Sequence, residues 1–333
     1  MMLDLASKIN KDKFDVIIVS MTKSDGALKS FNYSNSNVFL LDFRHSLINS
    51  YVSLFKIIRD FNPTIVHAHM FHAGVCAFIF KIIFGMRFIL CFTGHKAVHS
   101  RWRRMFLWIF RKFRDADIIF SENVKSFVDA PVTYIIPNGV FVPPEIPTRE
   151  RWSAKTGIIF VSVGRLVWEK DYLGLVNSFA RASIDGATLK LVGDGPLKDE
   201  IHSLIKRLAI EDRVKICGFS EYVRDHLRSS HIFVLHSAEE GLPMALLEAG
   251  AEGLPVISTP VGSIPEILSD QRGALASQRE FWGVMRKIAS NPGDSLAMGL
   301  RLRNYIRETC SIEIMVSSYQ RLYLNLAERK LRG

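Results

Sequence analysis

Short apolar and β-branched runs alternate with segments of helical period along the whole chain. In the first half, Asp15–Ser20, Val38–Leu41, Thr64–His67, Phe88–Phe92, Asp117–Phe120 and Thr133–Ile136 predict strands. Several are apolar throughout, the pattern of a parallel sheet covered by helices on both faces. Ser50–Asp60, Ala73–Phe84 and Arg101–Arg114 predict the helices between them. The second half repeats the scheme, with strands at Gly157–Val163, Thr188–Val192, Val214–Cys217, Ile232–His236 and Pro255–Ser258 and helices that include Tyr172–Ala182 and Leu197–Leu208. Between the halves lies VPPEIPTRERW, whose Pro143, Pro144 and Pro147 mark a linker. No fixed-period repeat is visible, which argues against a solenoid. The expected fold is α/β, two Rossmann-like doubly wound domains over residues 1–147 and 148–311. Residues 312–333 form a terminal helix expected to cross back to the first domain. In such sheets ligands bind beyond the carboxyl ends of the strands, here expected in a cleft between the domains.

Composition agrees with this layout. A chain of 333 residues is long enough for two domains of roughly 150 to 180 residues each. Hydrophobic residues at 48% and charged residues at 23% exclude a disordered, collagenous or coiled-coil chain. Lys plus Arg 43 against Asp plus Glu 33 leaves +10, with a pI near 9.5. That balance suits an anionic partner, whether nucleotide, nucleic acid or acidic membrane. Cys76, Cys91, Cys217 and Cys310 are widely spaced, without a CxxC pair, and read as free thiols of a reducing cytoplasm. The opening MMLDLASKINKDKF predicts no signal peptide. The most apolar stretch, Phe71–Thr93, is broken by Lys81, Gly85 and Arg87, short of the ~18 to 20 residues a spanning helix needs.

Three segments carry candidate chemistry. In SAEEGLPMALLEAGAEGLPVISTPVGSIPE, a strand ends near His236, Pro243 suits the first turn of a helix, and Gly253 suits its carboxyl cap. Glu240 then sits in the strand-to-helix loop and Glu248 in the second helical turn, where both carboxylates can face one site beside the helix amides. An isolated pair of this spacing also reads as two solvated glutamates on a surface helix. Upstream, FVSVGRLVWEKD ends a strand in Gly164 and Arg165, with Lys170 five residues on. An Arg fork and a Lys point charge can converge on a diphosphate, although either alone reads as an exposed cation. In KLVGDGPLKDEI, Gly193 and Gly195 bracket a tight turn that a nucleotide could approach.

In this order and spacing, GRLVWEKD, VGDGP and EEGLPMALLEAGAEGLPVIST resemble the retaining glycosyltransferases of family 4 (GT4), which have the GT-B fold. The resemblance covers Gly157–Ile267, with weaker echoes in PNGV (Pro137–Val140) and FTGH (Phe92–His95). It implies a nucleotide-sugar donor, UDP- or GDP-linked, held in the second domain. Arg165 and Lys170 would neutralise the diphosphate, and Glu248 would bond the ribose hydroxyls. Glu240 would contact the sugar, and the amides of Gly241, Leu242, Pro243 and Met244 would line the phosphate and sugar pocket. Gly193 would admit the nucleotide and Phe219 would lie against the base. No metal or other cofactor is implied. His95 would face the donor sugar as a second catalytic residue, although a lone histidine in a strand-end loop is otherwise structural. His67 and His69 in VHAHM have metal-like spacing but no evident third ligand, and fall on the acceptor side or in the core. The implied reaction keeps the anomeric configuration through front-face attack. One departure from the family pattern is that Met2–Ile9 already reads as the first helix, with no strand and Gly-Gly loop ahead of it.

The segment 96–114 contains Lys96, Arg101, Arg103, Arg104, Arg111, Lys112 and Arg114, no acid, and Trp102, Phe106, Trp108, Phe110 and Phe113 interleaved. A basic, aromatic helix suits an anionic bilayer, which would place the protein peripherally on the inner face of the plasma membrane beside a lipid-linked acceptor. An ordinary helix with its aromatics packed on the sheet is the other reading. No nucleic-acid-binding signature accompanies the patch. The expected activity is therefore sugar transfer to a lipid-linked or polysaccharide acceptor. A sugar-nucleotide 2-epimerase and a catalytically impaired partner subunit are the alternatives.

Overall fold

The computed structural model describes residues 2–22, 38–93, 101–122, 132–146, 152 and 157–332. The chain divides into two compact units, Met1–Gly139 with Ile312–Gly333, and Val140–Ser311. Residues 140–143 belong to the second, because the Val140 amide donates to the Cys310 carbonyl and the buried Arg303 guanidinium donates to the Pro143 carbonyl.

In the first unit, β1 (Ile18–Ser20) pairs in parallel with β2 (Val38–Leu40). β3 (Ile65–His69), β4 (Ile89–Thr93), β5 (Ala116–Ile119) and β6 (Thr133–Ile135) form a parallel sheet in sequence order. The helices are α1 (Met2–Lys8), α2 (Leu47–Phe61), α3 (Phe71–Ile82) and α4 (Arg101–Ile109). One core packs Leu54 and Ile58 of α2 with Phe78 and Phe80 of α3 against Leu90 and Phe92. A second packs Leu5 and Ile9 with Met315, Tyr319 and Leu322 of the helix Ile312–Arg332 against Cys91 and Ile118.

The helix expected over Arg101–Arg114 stops at Ile109 and tightens into a 3₁₀ turn, Arg111–Phe113, before the chain enters β5. Its aromatics divide. Phe106 and Phe110 turn inward onto Phe71 and Phe78, with Phe110 and Phe78 centroids 4.2 Å apart. Trp102, Met105, Trp108 and Ile109 stay exposed.

The second unit holds six parallel strands, β7 (Ile158–Val163), β8 (Ala187–Val192), β9 (Val214–Gly218), β10 (Ile232–Leu235), β11 (Val256–Ser258) and β12 (Ala274–Leu275). Their order is β12-β11-β10-β7-β8-β9, which is that of a Rossmann sheet, with its switch point between β7 and β10. The helices are α5 (Tyr172–Ala182), α6 (Lys198–Arg207), α7 (Val223–Arg228), α8 (Met244–Ala251), α9 (Ile264–Ile267), α10 (Phe281–Ser290) and α11 (Pro292–Thr309). Phe160, Leu189, Leu191 and Phe233 are fully buried in the sheet, each contributing about 1.5–3 kcal/mol.

Two glycines let α11 lie flush on α8. A Cβ at Gly250 would meet the Ile306 side chain at 2.5 Å, and one at Gly299 would meet the Gly253 carbonyl oxygen at 2.3 Å. Gly253 ends α8 at φ 75°, the left-handed cap that its position in the sequence predicts. Because the obstacle at Gly299 is backbone, Gly299→Ala is expected to lower the unfolding free energy by about 1–3 kcal/mol in a guanidinium titration. An unchanged midpoint would mean that the two helices do not approach this closely.

Candidate functional site

At the end of β7 the chain leaves the sheet through Gly164, whose φ of 157° lies at the edge of what a side chain tolerates. The backbone of β8 comes so near that a Cβ at Gly193 would fall 1.9 Å from the Gly164 carbonyl oxygen. One at Gly195 would fall 2.5 Å from the Leu166 carbonyl oxygen. The Leu166 amide donates to the Asp194 carbonyl (2.9 Å), and the Gly193 amide donates to the Gly218 carbonyl (2.8 Å). Position 193 therefore requires glycine for backbone contact, quite apart from any ligand. Beneath this crossing lies the buried Tyr172, whose hydroxyl pKa is pushed up by desolvation. Arg165 stands exposed on the loop.

The loop continues as a 3₁₀ turn, Trp168–Lys170, and enters α5 at Asp171, a left-handed residue (φ 43°) whose carboxylate accepts from the Gly174 amide at 3.0 Å. The Ala238 amide donates to the Glu169 carbonyl (2.8 Å), joining this turn to the loop after β10. That junction carries Lys170 to Glu240, with Nζ 2.5 Å from Oε1. Both side chains are largely withdrawn from solvent, at 22% and 9% exposure. The Ser237 hydroxyl donates to the same Oε1 at 2.7 Å. The Gly241 carbonyl accepts from the amide (3.1 Å) and hydroxyl (2.8 Å) of Ser263, which fixes the loop ahead of α8.

Gly241, Leu242, Pro243 and Met244 lead directly into α8. Pro243 stands at the cap position (ψ 102°), one residue before the first-turn place expected for it, and no side chain caps the helix. Its start presents the positive end of the helix dipole. Glu248 occupies the second turn, where burial raises its pKa and the Arg224 charge partly offsets that. The buried Glu252, at the carboxyl cap, accepts from both Arg224 and Arg228 at 3.0 Å. Phe219 and Tyr222, just beyond β9, are 75% and 70% exposed.

Several neighbours of this site were not singled out from the sequence. His236 is buried and hydrogen-bonded through Nδ1 to the Asp171 carboxylate at 2.9 Å, while its other nitrogen faces the Ser178 hydroxyl at 3.4 Å. The Gln278 amide adds a third hydrogen bond to Asp171, at 3.0 Å. An Asp placed ahead of an apolar-periodic helix is a recognisable N-cap signal. Its pairing with a histidine 65 residues away is not. Ser237, three residues before Glu240, could have been read from the loop alone.

Of the remaining expected residues, His95 lies outside the described residues. In the first unit His67 is half-buried, with Nδ1 2.6 Å from the Tyr323 hydroxyl and Nε2 2.9 Å from Thr93 Oγ1. Burial and the neighbouring His69, whose ring centroid is 4.0 Å away, hold its pKa well below the usual histidine value. Both His67 ring nitrogens are thus taken up by hydroxyl partners. Among the described residues, no group of three His, Cys, Asp or Glu side chains is arranged to hold a metal ion. All four cysteines are unpaired. No described helix is long and apolar enough to cross a membrane.

Two Rossmann-like units in one chain define the GT-B class. Anabaena Alr3699/HepE, solved in complex with UDP and glucose, superimposes with a TM-score of 0.81 over 97% of this chain and 94% of its own. At 17% identity that likeness concerns the fold. The N-acetyl-alpha-D-glucosaminyl L-malate synthase of Bacillus anthracis is 36% identical over 180 residues, 53% of this chain, and the chain spans only 47% of that relative's length. The UDP-Gal:alpha-D-GlcNAc-diphosphoundecaprenol alpha-1,3-galactosyltransferase of Escherichia coli is 25% identical over 316 residues, 85% of this chain and 81% of its own. Residues 1–141 match the family Glycosyltransferase Family 4, residues 147–302 match Glycosyl transferases group 1, and the chain belongs to the family 4 glycosyltransferases of GT-B fold.

The raised pKa of Glu248 has a signed consequence for stability. The folded protein holds the proton more tightly than the unfolded chain, whose value is near 4.5. Stability therefore falls as pH rises from that value through the folded one, and the penalty is complete above it. Glu248→Gln is expected to melt at a higher temperature than the wild type near pH 7, with the gap closing at pH 4. A gap independent of pH would show that the carboxylate is not penalised.

Proposed function

We propose that the protein moves a sugar, with retention of configuration, from a UDP- or GDP-sugar to a lipid-linked or polysaccharide acceptor in cell-surface glycan biosynthesis. The observation that carries this reading is the Lys170–Glu240 pair at the β7/β10 switch point, beside the bare backbone of Gly164 and Gly193. A sugar nucleotide loses a diphosphate as its glycosidic bond breaks, and negative charge grows on that leaving group. Arg165, Lys170 and the start of α8 supply positive charge there with no need for a metal ion. When the diphosphate takes up Lys170, Glu240 keeps its Ser237 hydrogen bond and turns its remaining acceptor capacity to the sugar hydroxyls. A carboxylate held by Ser237 and turned to the sugar hydroxyls suits holding the sugar better than attacking it, which supports front-face transfer. Glu248 bonds the ribose hydroxyls and Phe219 offers its exposed ring to the base.

The names of the Anabaena and Escherichia coli proteins support a uridine donor, and the second supports a lipid-linked acceptor. The outward face of α4, with Trp102, Met105, Trp108 and Ile109 exposed alongside the exposed Arg101 and Arg104, supports attachment to the inner face of an anionic membrane.

Calorimetric titration with UDP-, GDP-, ADP- and dTDP-sugars tests the donor site. One donor is expected to bind, and Arg165→Ala or Lys170→Ala to weaken it by roughly ten- to a hundredfold, the worth of one charge-assisted hydrogen bond. Absence of binding to every donor would remove the proposal. With a donor in hand, the proton coupling at the anomeric carbon of the product is expected to match that of the donor, and an inverted product would exclude retention.

A further inference from the structure

At the amino ends of β4 and β5, the first unit contains a pocket of about 780 Å³. Residues distant in sequence build it, from the end of α3, the turn into β4, the entry to β5 and the last turns of the helix Ile312–Arg332. Four cations line it, Lys81, Arg87, Arg329 and Lys330, against the single acid Asp115. Asp115 is already committed, since it pairs with the Lys81 ammonium and accepts from the Leu90 amide at 2.6 Å. That leaves Arg87, Arg329 and Lys330 in excess, all exposed.

The rest of the wall is apolar, formed by Met86, Phe88, Phe113 and Leu326 among others. At the rim, between Lys81 and Arg87, the chain exposes Ile82, Ile83 and Phe84, with Ile83 71% exposed. Phe113 continues from α4 through the 3₁₀ turn, so the pocket borders the basic aromatic segment. An apolar wall, a cationic mouth and an apolar rim together match a ligand with an anionic head and a hydrocarbon tail. A free nucleotide or inorganic phosphate would leave the apolar wall unused.

We propose that this pocket binds an acidic phospholipid of the bilayer, with Arg87, Arg329 and Lys330 meeting its phosphate and the apolar wall taking the start of its acyl chains. The inference rests on the membrane-surface reading of α4 and deepens it from a non-specific charged face to a defined lipid site.

Sedimentation with vesicles tests both, with folding of each variant checked by thermal melting. Wild type is expected to bind phosphatidylglycerol vesicles and not phosphatidylcholine vesicles. The triple variant Arg87→Ala/Arg329→Ala/Lys330→Ala is expected to lose more than about tenfold in affinity for them. A charge-matched control in the second unit, Lys206→Ala/Arg207→Ala/Lys215→Ala, is expected to stay within about twofold. Dihexanoyl phosphatidylglycerol below its micelle concentration is expected to bind wild type and not the pocket variant, and glycerol phosphate to bind neither. If wild type binds vesicles and the pocket variant binds as well, the lipid site falls and the membrane reading stands. A variant Trp102→Ala/Trp108→Ala that alone loses binding would assign attachment to α4 and likewise overturn the pocket. Equal competition by glycerol phosphate would replace the lipid with a soluble phosphate ester. Failure of wild type to bind any acidic vesicle would overturn both readings.

Discussion

A side chain at position 193 would put its first carbon inside the carbonyl oxygen of Gly164, and the architecture of the second unit's site depends on that contact. Because the ends of β7 and β8 touch through backbone alone, the loop after Gly164 cannot climb over its neighbour. It is pinned instead, by the Leu166 amide on Asp194 and the Leu197 amide on Leu166. The pinned loop then turns through Trp168–Lys170 and drops Asp171 into a left-handed conformation, which starts α5. Lys170 is carried by this turn to the opposite side of the switch point. Strand ends that stood farther apart would leave space for side chains there but would lose the fixed position of the cation.

The electrostatics follow from the same geometry. Lys170 and Glu240 come from strands adjacent in the sheet but 70 residues apart in the chain, and each withdraws the other from water. Taking two charges out of water is costly unless further donors satisfy the carboxylate, and Ser237 supplies one such donor. The pair is therefore held in the absence of ligand and requires no rearrangement of the loops to offer a cation to an anion. The adjacent Asp171 is fixed in a similar way, since its carboxylate is claimed by the Gly174 amide, His236 and Gln278 together. Those three bonds offset a left-handed φ that a non-glycine residue adopts only at a cost of order 1 kcal/mol or more.

Much of this was legible in the sequence, for local reasons. Short, mostly apolar runs marked β7 to β11 of the second unit, though not the two-residue β12, and Gly253 closed α8 where a left-handed cap was required. The residues after β10 could be placed on a loop and a helix from Pro243 alone, to within one position. Features that depend on contacts between distant segments could not be read in this way. Nothing local joins His236 to Asp171, or Lys8 to Glu313, whose ion pair of 2.8 Å ties α1 to the terminal helix. The aromatic segment shows the same limit, because its composition favoured two incompatible readings. Packing divides them, with Phe106 and Phe110 serving the core, Trp102 half-exposed with an edge on Phe71, and Trp108 exposed.

Several departures from ordinary packing in the second unit meet at one point. Glycine is required at 193, a non-glycine residue is left-handed at 171, two opposite charges are withdrawn from solvent at 170 and 240, and a carboxylate is desolvated at 248. The charged departures would be removed by a sequence chosen for stability alone, through a small polar residue at 248 or an apolar pair at 170 and 240. Away from the switch point the same unit has two apolar clusters and two helices fitted through glycine, and left-handed non-glycine residues recur singly or in pairs at Ser183, Ala209, Asp270 and Gln271. A backbone contact that excludes side chains, a left-handed residue and a withdrawn ion pair coincide where β7 and β10 diverge, as is expected when the surrounding fold supports a binding site.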